Sequence, residues 1–471
     1  MFMREYVTTA IPYVNGVPHI GHAVDYCLAD TAARYFRLKG DEVRFQVGTD
    51  EHGGKIFQKA EELNIPVEKY VKENSDAFRD FIGKLNISYT DFIRTTDEAH
   101  IRRCQEIWKK LQDHIYLASY EGWYCTGCER FITEKECQEN HGVCPDHQKL
   151  YEKIKEENYY FRISDFKSQI KAKIESDELL ILPDFRKKEI LKLLDDSPDV
   201  SISRPREQLK WGVTVPGDES QVMYVWIDAL SNYITVLGYP EQDISEWWPA
   251  AAQFVGKDIL RFHAIIWPAM LLGLGLELPK VIVSHGMILA DGQKMSKSIG
   301  NVVDPIEVIN KYGLDAFRYF FLRHVDTFAD SDYTAEKFDE AYKNELANDL
   351  GNLVQRLATL AEKNNIQLGN SAVLELSTGY CELMDKFEFS KAFDYCWEKV
   401  QDLNKRIDEE KPWMLAKAGE TEKLENCLKK LLVDLLQVNT ELAPFMPDAC
   451  GKITEILRDP IAPPKVPLFP K

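Results

Sequence analysis

The amino-acid sequence predicts an α/β protein in which a doubly wound parallel sheet is interrupted by a smaller inserted domain and followed by an α-helical bundle. Three observations support this prediction. A strand–loop–helix–strand pattern opens the chain, similar patterns resume after residue 205, and the C-terminal part carries leucines at helical spacing. A chain of 471 residues is also too long for one ordinary domain.

The first α/β unit lies between residues 5 and 50. Residues 5–14 are rich in β-formers and lead into a loop, a helical pattern covers about Gly21–Leu38, and an apolar strand covers Val43–Val47. Three later apolar runs are predicted to be buried strands between helices: Met223–Ile227, Gln253–Val255 and Lys280–Val283. From about residue 334 the pattern is helical only.

Changes in composition predict the domain boundaries. The α/β domain takes residues 1–112 and 205–300, the insertion residues 113–204, a connecting region residues 301–345, and the helical bundle residues 346–471. The formal net charge of −18 opposes indiscriminate binding to nucleic acid but does not exclude a specific RNA partner. The sequence opens with no secretory pattern, and its longest apolar stretch is broken by Pro268 and Gly273. We therefore expect a cytoplasmic protein with no membrane partner.

Residues 18–22 read Pro-His-Ile-Gly-His and lie where the first strand passes into the first helix. A helix N-terminus offers unpaired N–H groups and the positive end of the helix dipole, and His19 and His22 would flank that end on one face. Gly21 would let a nucleotide pack closely against the backbone. The segment suits a triphosphate, although an isolated His-x-x-His pair more often caps or pads a helix.

Residues 294–298 read Lys-Met-Ser-Lys-Ser, in a loop that also holds Gly292 and Gly300. Lys294 and Lys297 would neutralise charge on a leaving pyrophosphate, and a glycine-flanked loop can close on ATP and reopen. Taken alone, this segment would be an exposed basic turn. Because both segments occur in one chain, in this order and each at an α/β edge, they predict an ATP site that makes an acyl-adenylate.

The two segments resemble the signatures of class I aminoacyl-tRNA synthetases, whose α/β domain is of the Rossmann type. The resemblance implies that an amino-acid carboxylate attacks the α-phosphate of ATP, that pyrophosphate leaves, and that the terminal adenosine of a tRNA then takes the aminoacyl group. Mg²⁺ would accompany ATP. The resemblance also gives ATP-binding or catalytic roles to a further set of residues: His19, Gly21, His22, Lys257, Asp258, Lys294, Lys297 and Ser298.

Five longer segments are similar to the methionyl-tRNA synthetase family: residues 10–23, 48–56, 224–233, 255–270 and 284–301. The resemblance implies that Asp50 takes the ammonium of L-methionine and that the following residues form the rest of its pocket: Ile11, Tyr13, Trp226, Ala229, Leu230, Tyr233, Ile259 and His263. Aromatic rings suit a polarizable thioether, to which Tyr233 and His263 would add weak hydrogen bonds. Ile266 stands where some family members carry phenylalanine, so this wall is expected to be softer.

Other interpretations remain open at this point. Without the resemblance, Trp226, Tyr233 and Ile259 would be ordinary core, and Asp50 would cap the helix that starts near His52. Related synthetases for other small apolar amino acids share both signatures but carry a much larger editing insertion. A non-catalytic RNA-binding relative would show a broken signature, and a cofactor-forming nucleotidyltransferase would lack the helical bundle.

Four cysteines cluster in the insertion. Cys125 and Cys128 are separated by two residues, as are Cys144 and His147, and two such pairs are typical of a structural zinc knuckle. Cys137 and His141 lie between the pairs and are rival ligands. We predict one zinc ion on the outer four residues, although many family members carry cysteine where His147 stands.

The C-terminal part matches the family's tRNA-binding region. Asn352 and Arg356 lie four apart on one predicted helix, and Trp413 follows Pro412. The resemblance implies that these residues read the anticodon of tRNA(Met), by stacking and hydrogen bonding to splayed bases. It also implies that residues 113–204 are the family's connective domain, residues 301–345 its stem-contact region near the tRNA acceptor end, and residues 346–471 its anticodon-binding domain. Because the chain ends shortly after the bundle, we expect a monomer.

Overall fold

The structure is a computed structural model that describes residues 3–126, 130–145, 148–290, 292–295, 303–369 and 374–470. Its strands are β1 Arg4–Thr9, β2 Glu42–Thr49, β3 Asp91–Arg94, β4 Ile115–Cys125, β5 Arg130–Ile132, β6 Glu152–Phe161, β7 Leu180–Leu182, β8 Val200–Ser201, β9 Ser203–Pro205, β10 Thr214–Val215, β11 Asp218–Met223, β12 Ala252–Gly256, β13 Val281–His285, β14 Ile288–Ala290, β15 Gln293–Lys294 and β16 Ser331–Tyr333.

The α-helices are α1 Ile20–Leu38, α2 Gly54–Leu63, α3 Val67–Lys84, α4 Glu98–Lys110, α5 Glu134–Glu139, α6 Lys167–Glu175, α7 Asp184–Asp196, α8 Val225–Thr235, α9 Trp267–Gly273, α10 Pro305–Tyr312, α11 Leu314–Tyr319, α12 Ala335–Ala341, α13 Asn352–Lys363, α14 Thr378–Met384, α15 Phe389–Glu410, α16 Pro412–Ala418, α17 Thr421–Leu442 and α18 Pro447–Ile456. Wider π-helical turns cover Phe262–Ile266, Phe320–His324 and Tyr342–Gly351. Short 3₁₀ turns cover Gln112–His114 and Ile163–Asp165. Within the described ranges, no helix is long and apolar enough to cross a bilayer.

The central sheet is parallel and has the strand order β3-β2-β1-β12-β13-β7. Its middle strands are buried on both faces, which is why their sequences read as nearly continuous apolar runs. Strand order reverses between β1 and β12, and in such sheets the crevice outside the carboxyl ends at this point is the usual ligand site. The predicted α/β fold with a doubly wound parallel sheet is confirmed.

The run Met223–Ile227 is not the strand that the sequence predicts. Met223 ends β11, and α8 starts at Val225. The helix is buried on all sides from Ile227 to Thr235, so its apolar run has no polar face to reveal a helical period. A short apolar run of this kind cannot be told from a buried strand by pattern alone.

One strand of the central sheet comes from inside residues 113–204, the range predicted as an insertion. β7 pairs in parallel with β13, with Leu180 opposite Val281. The more independent part of this range is an antiparallel sheet in the order β5-β4-β6-β8, in which β4 and β6 pair continuously from Ile115–Phe161 to Tyr124–Glu152. A three-residue strand paired only by long-range contact leaves no periodic signal in the sequence.

The C-terminal helices pack directly on the α/β domain. Phe389 at the start of α15 stacks on Phe254 of β12, with ring centroids 6.2 Å apart. The fully buried guanidinium of Arg318 lies 2.8 Å from a carboxylate oxygen of Asp30 on α1, and it donates to the carbonyl of Phe445 at 2.7 Å. Because a buried charge of this kind needs several partners, it fixes α1 against the turn that joins α17 to α18.

Candidate active site

A cavity of about 650 Å³ opens at the carboxyl edge of the sheet, where the strand order reverses. Its walls come from the loops after β1, β2, β12 and β13 and from the first turns of α1 and α8. Most of the residues predicted from the two signatures and the pocket segments line it: Ile11, Tyr13, His19, Gly21, His22, Asp50, Trp226, Ala229, Leu230, Tyr233, Asp258, Ile259 and His263. This volume is within the usual range for a site that binds a small ligand.

The two signature histidines cap α1 and stack on one another. Nδ1 of His19 accepts the backbone N–H of Gly21 at 3.2 Å, and Nδ1 of His22 accepts the backbone N–H of His19 at 3.2 Å. Their rings lie 3.8 Å apart at 23°. A Cβ atom on Gly21 would lie 3.1 Å from Cε1 of His19, so glycine leaves this ring the space to fold back over the helix end.

Each of the two rings therefore donates through its Nε2 nitrogen. A neutral imidazole whose Nδ1 accepts a hydrogen bond carries its proton on Nε2. Burial, together with a smaller effect of the neighbouring ring of His19, lowers the pKa of His22 to about 3. At neutral pH the pair offers two N–H groups beside the helix end but little positive charge.

Asp50 and Tyr13 both line the cavity and lie side by side, because a parallel backbone bridge pairs them. The N–H of Asp50 donates to the carbonyl of Pro12 at 2.9 Å, and its carbonyl accepts the N–H of Val14 at 3.0 Å. Asp50 does not cap α2, since the cap is Gly53, which has a φ of 124°. A Cβ on Gly53 would lie 2.2 Å from the hydroxyl oxygen of Tyr13, so the glycine is required both by its backbone angle and by the ring.

The opposite wall is apolar and aromatic. Trp226 stacks flat on Phe262, with centroids 3.7 Å apart and planes at 7°. Ala229, Leu230 and Tyr233 follow on α8 and are almost fully buried. Ile266, the position noted as a departure, is also buried in the core behind this wall. A wall of rings and aliphatic groups is a suitable surface for a thioether.

Tyr233 and His263, which both line the cavity, hydrogen-bond to each other. The hydroxyl of Tyr233 lies 2.8 Å from Nε2 of His263, and Nδ1 of His263 lies 3.0 Å from the carbonyl of Ile259. Because a carbonyl only accepts, Nδ1 must carry the ring proton, Nε2 must accept, and the tyrosine must donate. Burial lowers the pKa of His263 to about 4, which agrees with a neutral ring. Neither group keeps a proton for a ligand sulfur in this arrangement, which differs from the weak hydrogen bonds that the sequence suggested.

Lys257 lies outside the residues that line the cavity. Its ammonium group is 2.5 Å from a carboxylate oxygen of Asp330, whose other oxygen accepts the backbone N–H of Met287 at 3.0 Å. The lysine side chain is therefore held beside the segment that leads towards β14. Its neighbour Asp258 does line the cavity.

One acidic residue, one lysine and one histidine of the cavity were missed by the sequence analysis: Asp25, Lys55 and His285. Nε2 of His285 lies 3.1 Å from Oδ1 of Asp25, and both side chains are largely buried. Burial raises the pKa of Asp25, and although burial opposes it, the hydrogen bond to Asp25 raises that of His285. Asp25 lies one turn beyond His22 on α1, and this spacing was the signal that could have identified it.

The second signature reaches the cavity through Met295, which lines it. Lys294 belongs to the short strand β15, which pairs with β14, but its side chain lies outside the described part of the chain. Lys297 and Ser298 also lie outside the described residues. Gly292 is anchored by a hydrogen bond of 2.7 Å from its N–H to Asp332.

The cysteine cluster is partly described. Cys125 and Cys144 are both buried in one small cluster, and the turn at Cys144 is closed by the N–H of Gln148, which donates to the carbonyl of Cys144 at 2.8 Å. Cys128 and His147 lie outside the described residues. Of the two rival ligands, Cys137 belongs to the same buried cluster, whereas His141 is exposed.

The three predicted anticodon residues lie on neighbouring elements of the helical bundle. Asn352 begins α13 and is exposed, and Arg356 lies one turn further along the same helix. The guanidinium of Arg356 is 2.6 Å from Asp408 and 5.9 Å from the ring centroid of Trp413 on α16. The structure thus brings a cation, an amide and a half-buried aromatic ring to one surface.

Comparison with known proteins identifies relatives along almost the whole chain. The family model described as "tRNA synthetases class I (M)" matches residues 5–358. The chain is 38% identical to the methionine–tRNA ligase of Thermotoga maritima, with 96% of this chain and 75% of that protein covered. It is 42% identical to the methionine–tRNA ligase of Clostridium perfringens, with 95% of this chain and 72% of that protein covered.

Solved structures match as closely. Mycobacterium tuberculosis methionyl-tRNA synthetase in complex with methionyl-adenylate has a TM-score of 0.92 to this chain at 34% identity, and all of both chains is covered. The free-state structure of the M. tuberculosis enzyme has a TM-score of 0.86 at 32% identity, with 100% of this chain and 98% of that chain covered.

Proposed function

The chain belongs to the class I methionyl-tRNA synthetase family, and from that premise we propose how its residues divide the work of a methionine–tRNA ligase. It activates methionine with ATP and charges tRNA. The observation that carries the assignment of residues is one cavity that joins an aromatic, apolar wall to the N-terminus of α1. A thioether substrate and a nucleotide would meet there.

Methionine would bind with its side chain against Trp226, Ala229 and Leu230 and with its ammonium at Asp50. A buried ammonium group needs a carboxylate partner, and Asp50 is 8% exposed and lines the cavity. Tyr233 and His263 would close the far end of the pocket as a hydrogen-bonded pair. Shape and polarizability would then favour methionine over branched amino acids.

ATP would bind with its phosphates at the start of α1. The Nε2–H groups of His19 and His22, beside the positive end of the α1 dipole, would be donors for phosphate oxygens. Lys294 and Lys297 of the second signature would add positive charge, with Mg²⁺ bound to the substrate triphosphate. Asp258 would face the nucleoside.

No covalent nucleophile of the protein is needed for this reaction. The methionine carboxylate attacks the α-phosphorus, pyrophosphate leaves, and the tRNA terminal hydroxyl later takes the methionyl group with release of AMP. The enzyme contributes by holding the carboxylate and phosphate in line and by stabilising charge on the phosphates.

We also propose a structural zinc ion in the inserted region, held by Cys125, Cys128, Cys144 and His147. Two of these side chains, Cys125 and Cys144, are buried in one cluster, and the turn at Cys144 is closed as in a knuckle. A structural zinc ion would hold the two ends of this loop together and contribute folding energy.

The surface formed by Asn352, Arg356 and Trp413 would read the anticodon of tRNA(Met). Arginine and tryptophan stack on splayed bases, and asparagine hydrogen-bonds to their edges. We propose further that the protein acts as a monomer in the cytoplasm. Light scattering in the presence and absence of tRNA tests the monomer.

Methionine-dependent exchange of pyrophosphate into ATP, measured with each of the twenty amino acids, tests the proposal. We expect methionine to support exchange and the other amino acids to give at most a small fraction of that rate. Exchange with a different amino acid, or with none, would refute the function. A large rise in the KM for methionine in Asp50→Asn, with the KM for ATP nearly unchanged, would support the ammonium site.

A further inference from the structure

A buried polar network lies behind the aromatic wall and joins the loop after β2 to α8. Oδ2 of Asp228 lies 2.6 Å from Nδ1 of His52, and its Oδ1 lies 2.8 Å from Nε2 of His100. None of the three side chains is more than 4% exposed. The sequence analysis gave none of them a role in binding.

The carboxylate of Asp228 is ionised and depends on both histidines. Burial alone would raise the pKa of Asp228, but His52 and His100 hold it at about 2. Each histidine must therefore present an N–H to a carboxylate oxygen. Nδ1 of His100 lies 2.7 Å from the hydroxyl of Thr235, the last residue of α8. Removing either histidine would leave a buried charge short of a partner.

The same neighbourhood has the donors of a metal site, but the distances describe hydrogen bonds. One donor atom each from His100, Cys104 and Asp228 lies within 4.8 Å of the others. Burial raises the pKa of Cys104 well above its usual value, so it is a thiol. Both oxygens of Asp228 already accept at 2.6 and 2.8 Å, which are hydrogen-bond lengths. The network is therefore complete without an ion.

The network ties together the two parts of the methionine site. His52 follows Asp50 by two residues, and Asp228 immediately precedes Ala229 on the helix that carries Tyr233. A parallel tie lies one turn deeper, where the side-chain amide of Gln46 on β2 donates to Asn232 at 2.7 Å.

The loop itself is rigid around this point. Arg94 donates two hydrogen bonds, of 2.7 and 2.9 Å, to the carboxylate of Glu51, and the indole N–H of Trp211 donates to the carbonyl of Glu51 at 2.7 Å. A change at His52 would move a stiff loop as a unit, and Asp50 would move with it.

We propose that His52 and Asp228 are positioning residues that set the distance between the ammonium-binding carboxylate of Asp50 and the side-chain wall on α8. The inference rests on the proposed role of Asp50. It predicts that His52 affects recognition of the substrate's α-ammonium group specifically, although it touches no substrate.

The experiment compares methionine with 4-(methylthio)butanoate, which has the same thioether and carboxylate but no amino group. The ratio of the analogue's inhibition constant to the KM for methionine, both from pyrophosphate exchange, measures recognition of the ammonium. We expect this ratio to fall at least tenfold in His52→Ala. His52→Asn keeps a donor close to the position of Nδ1 and should restore most of the ratio.

His100→Ala is the matched control. It removes a partner of the same carboxylate from α4, but it does not lie on the loop that carries Asp50. Its melting temperature should fall about as far as that of His52→Ala, while its ratio stays near the wild-type value. An equal loss of the ratio in both variants would overturn the proposal, because the network would then be structural only.

Two further variants keep the test decisive. If the alanine variants do not fold, His52→Gln, which keeps a donor but lengthens the side chain, should lower the ratio while His52→Asn preserves it, and equal ratios in the two would overturn the inference. In either case, Asp50→Asn must abolish the preference for methionine over the analogue that lacks the amino group. If it does not, the ammonium role of Asp50 fails and the inference with it. If Asp50→Asn abolishes this preference but the His52 variants keep the wild-type ratio, then only the proposed positioning role of His52 is wrong.

Discussion

Replacing Tyr233 with phenylalanine removes one hydroxyl group from the end of the pocket and nothing else. That hydroxyl donates to Nε2 of His263 at 2.8 Å, and the ring's other nitrogen is already used by the carbonyl of Ile259. A buried acceptor that loses its donor costs about 1–3 kcal/mol. We therefore expect the free energy of unfolding of Tyr233→Phe to fall by about that amount.

The variant should also bind methionine less well. With its Nε2 unpaired, His263 is held through one nitrogen only, and the end of the pocket is no longer fixed. If half of that energy, about 0.5–1.5 kcal/mol, appears in binding, the KM for methionine rises by about two- to twelvefold, since 1.4 kcal/mol corresponds to a factor of ten. Pyrophosphate exchange measures this KM, and the KM for ATP should change by less than about twofold.

Norleucine, which has a methylene in place of sulfur, distinguishes two roles of the Tyr233 hydroxyl. The hydroxyl either holds His263 in place or donates a hydrogen bond to the sulfur of the ligand. Because both protons of the Tyr233–His263 pair are used within the protein, we expect the KM for norleucine to rise by the same factor as that for methionine. Tyr6→Phe is the control, since the hydroxyl of Tyr6 donates to the buried carbonyl of Tyr233 at 3.0 Å away from the cavity. It should lose similar stability and keep both KM values. A rise in the KM for methionine without a rise in the KM for norleucine would refute the reasoning, because the hydroxyl would then be a donor to sulfur.

Three other predictions follow from the same geometry. Cys125→Ser should lose the zinc ion and destabilise the inserted region, and an unchanged zinc content measured by atomic emission would refute the ligand set. Trp413→Ala should weaken tRNA aminoacylation about tenfold or more, as expected for a lost base stack, and leave methionine activation nearly intact; equal losses would contradict an anticodon role. Because the pKa of His263 is lowered to about 4, its neutral form stabilises the fold above pH 6.5 and this contribution is lost as pH falls through about 4. We therefore expect that titration of His263 causes no change in methionine affinity near pH 6.5. The pH dependence of methionine affinity around pH 6.5 should be the same in the wild type and in His263→Asn.

The sequence was sufficient for the fold class and for most of the cavity. β1, α1 and β2 have the period and loop residues of an α/β unit, and the two signature segments are local patterns with local physical causes. His19 is the N-cap of α1 and His22 is the third residue of that helix, so their reciprocal capping arrangement follows from spacing alone. Residues of this kind can be found without a structure.

Other parts of the site depend on contacts that no local pattern records. Asp25 meets His285 across 260 positions of the chain, and His52 meets Asp228 across 176. Lys257, to which the resemblance gives an ATP-binding or catalytic role, has its ammonium group bound by Asp330, which is 73 positions away in the chain. In each case the residue type was visible in the sequence while its partner was fixed only by the packing of strands and helices.

The protonation states of the cavity determine which residues supply charge. With a pKa of about 3, His22 is neutral at physiological pH, and two cationic rings 3.8 Å apart would repel one another. The signature histidines therefore contribute directed N–H groups and not positive charge. Among the described residues that line the cavity, Lys55 is the only lysine or arginine. On the proposed assignment, most of the cationic stabilisation of a departing pyrophosphate would come from the helix end, from Mg²⁺ and from Lys294 and Lys297, which would explain why the second signature is needed in addition to the histidine pair.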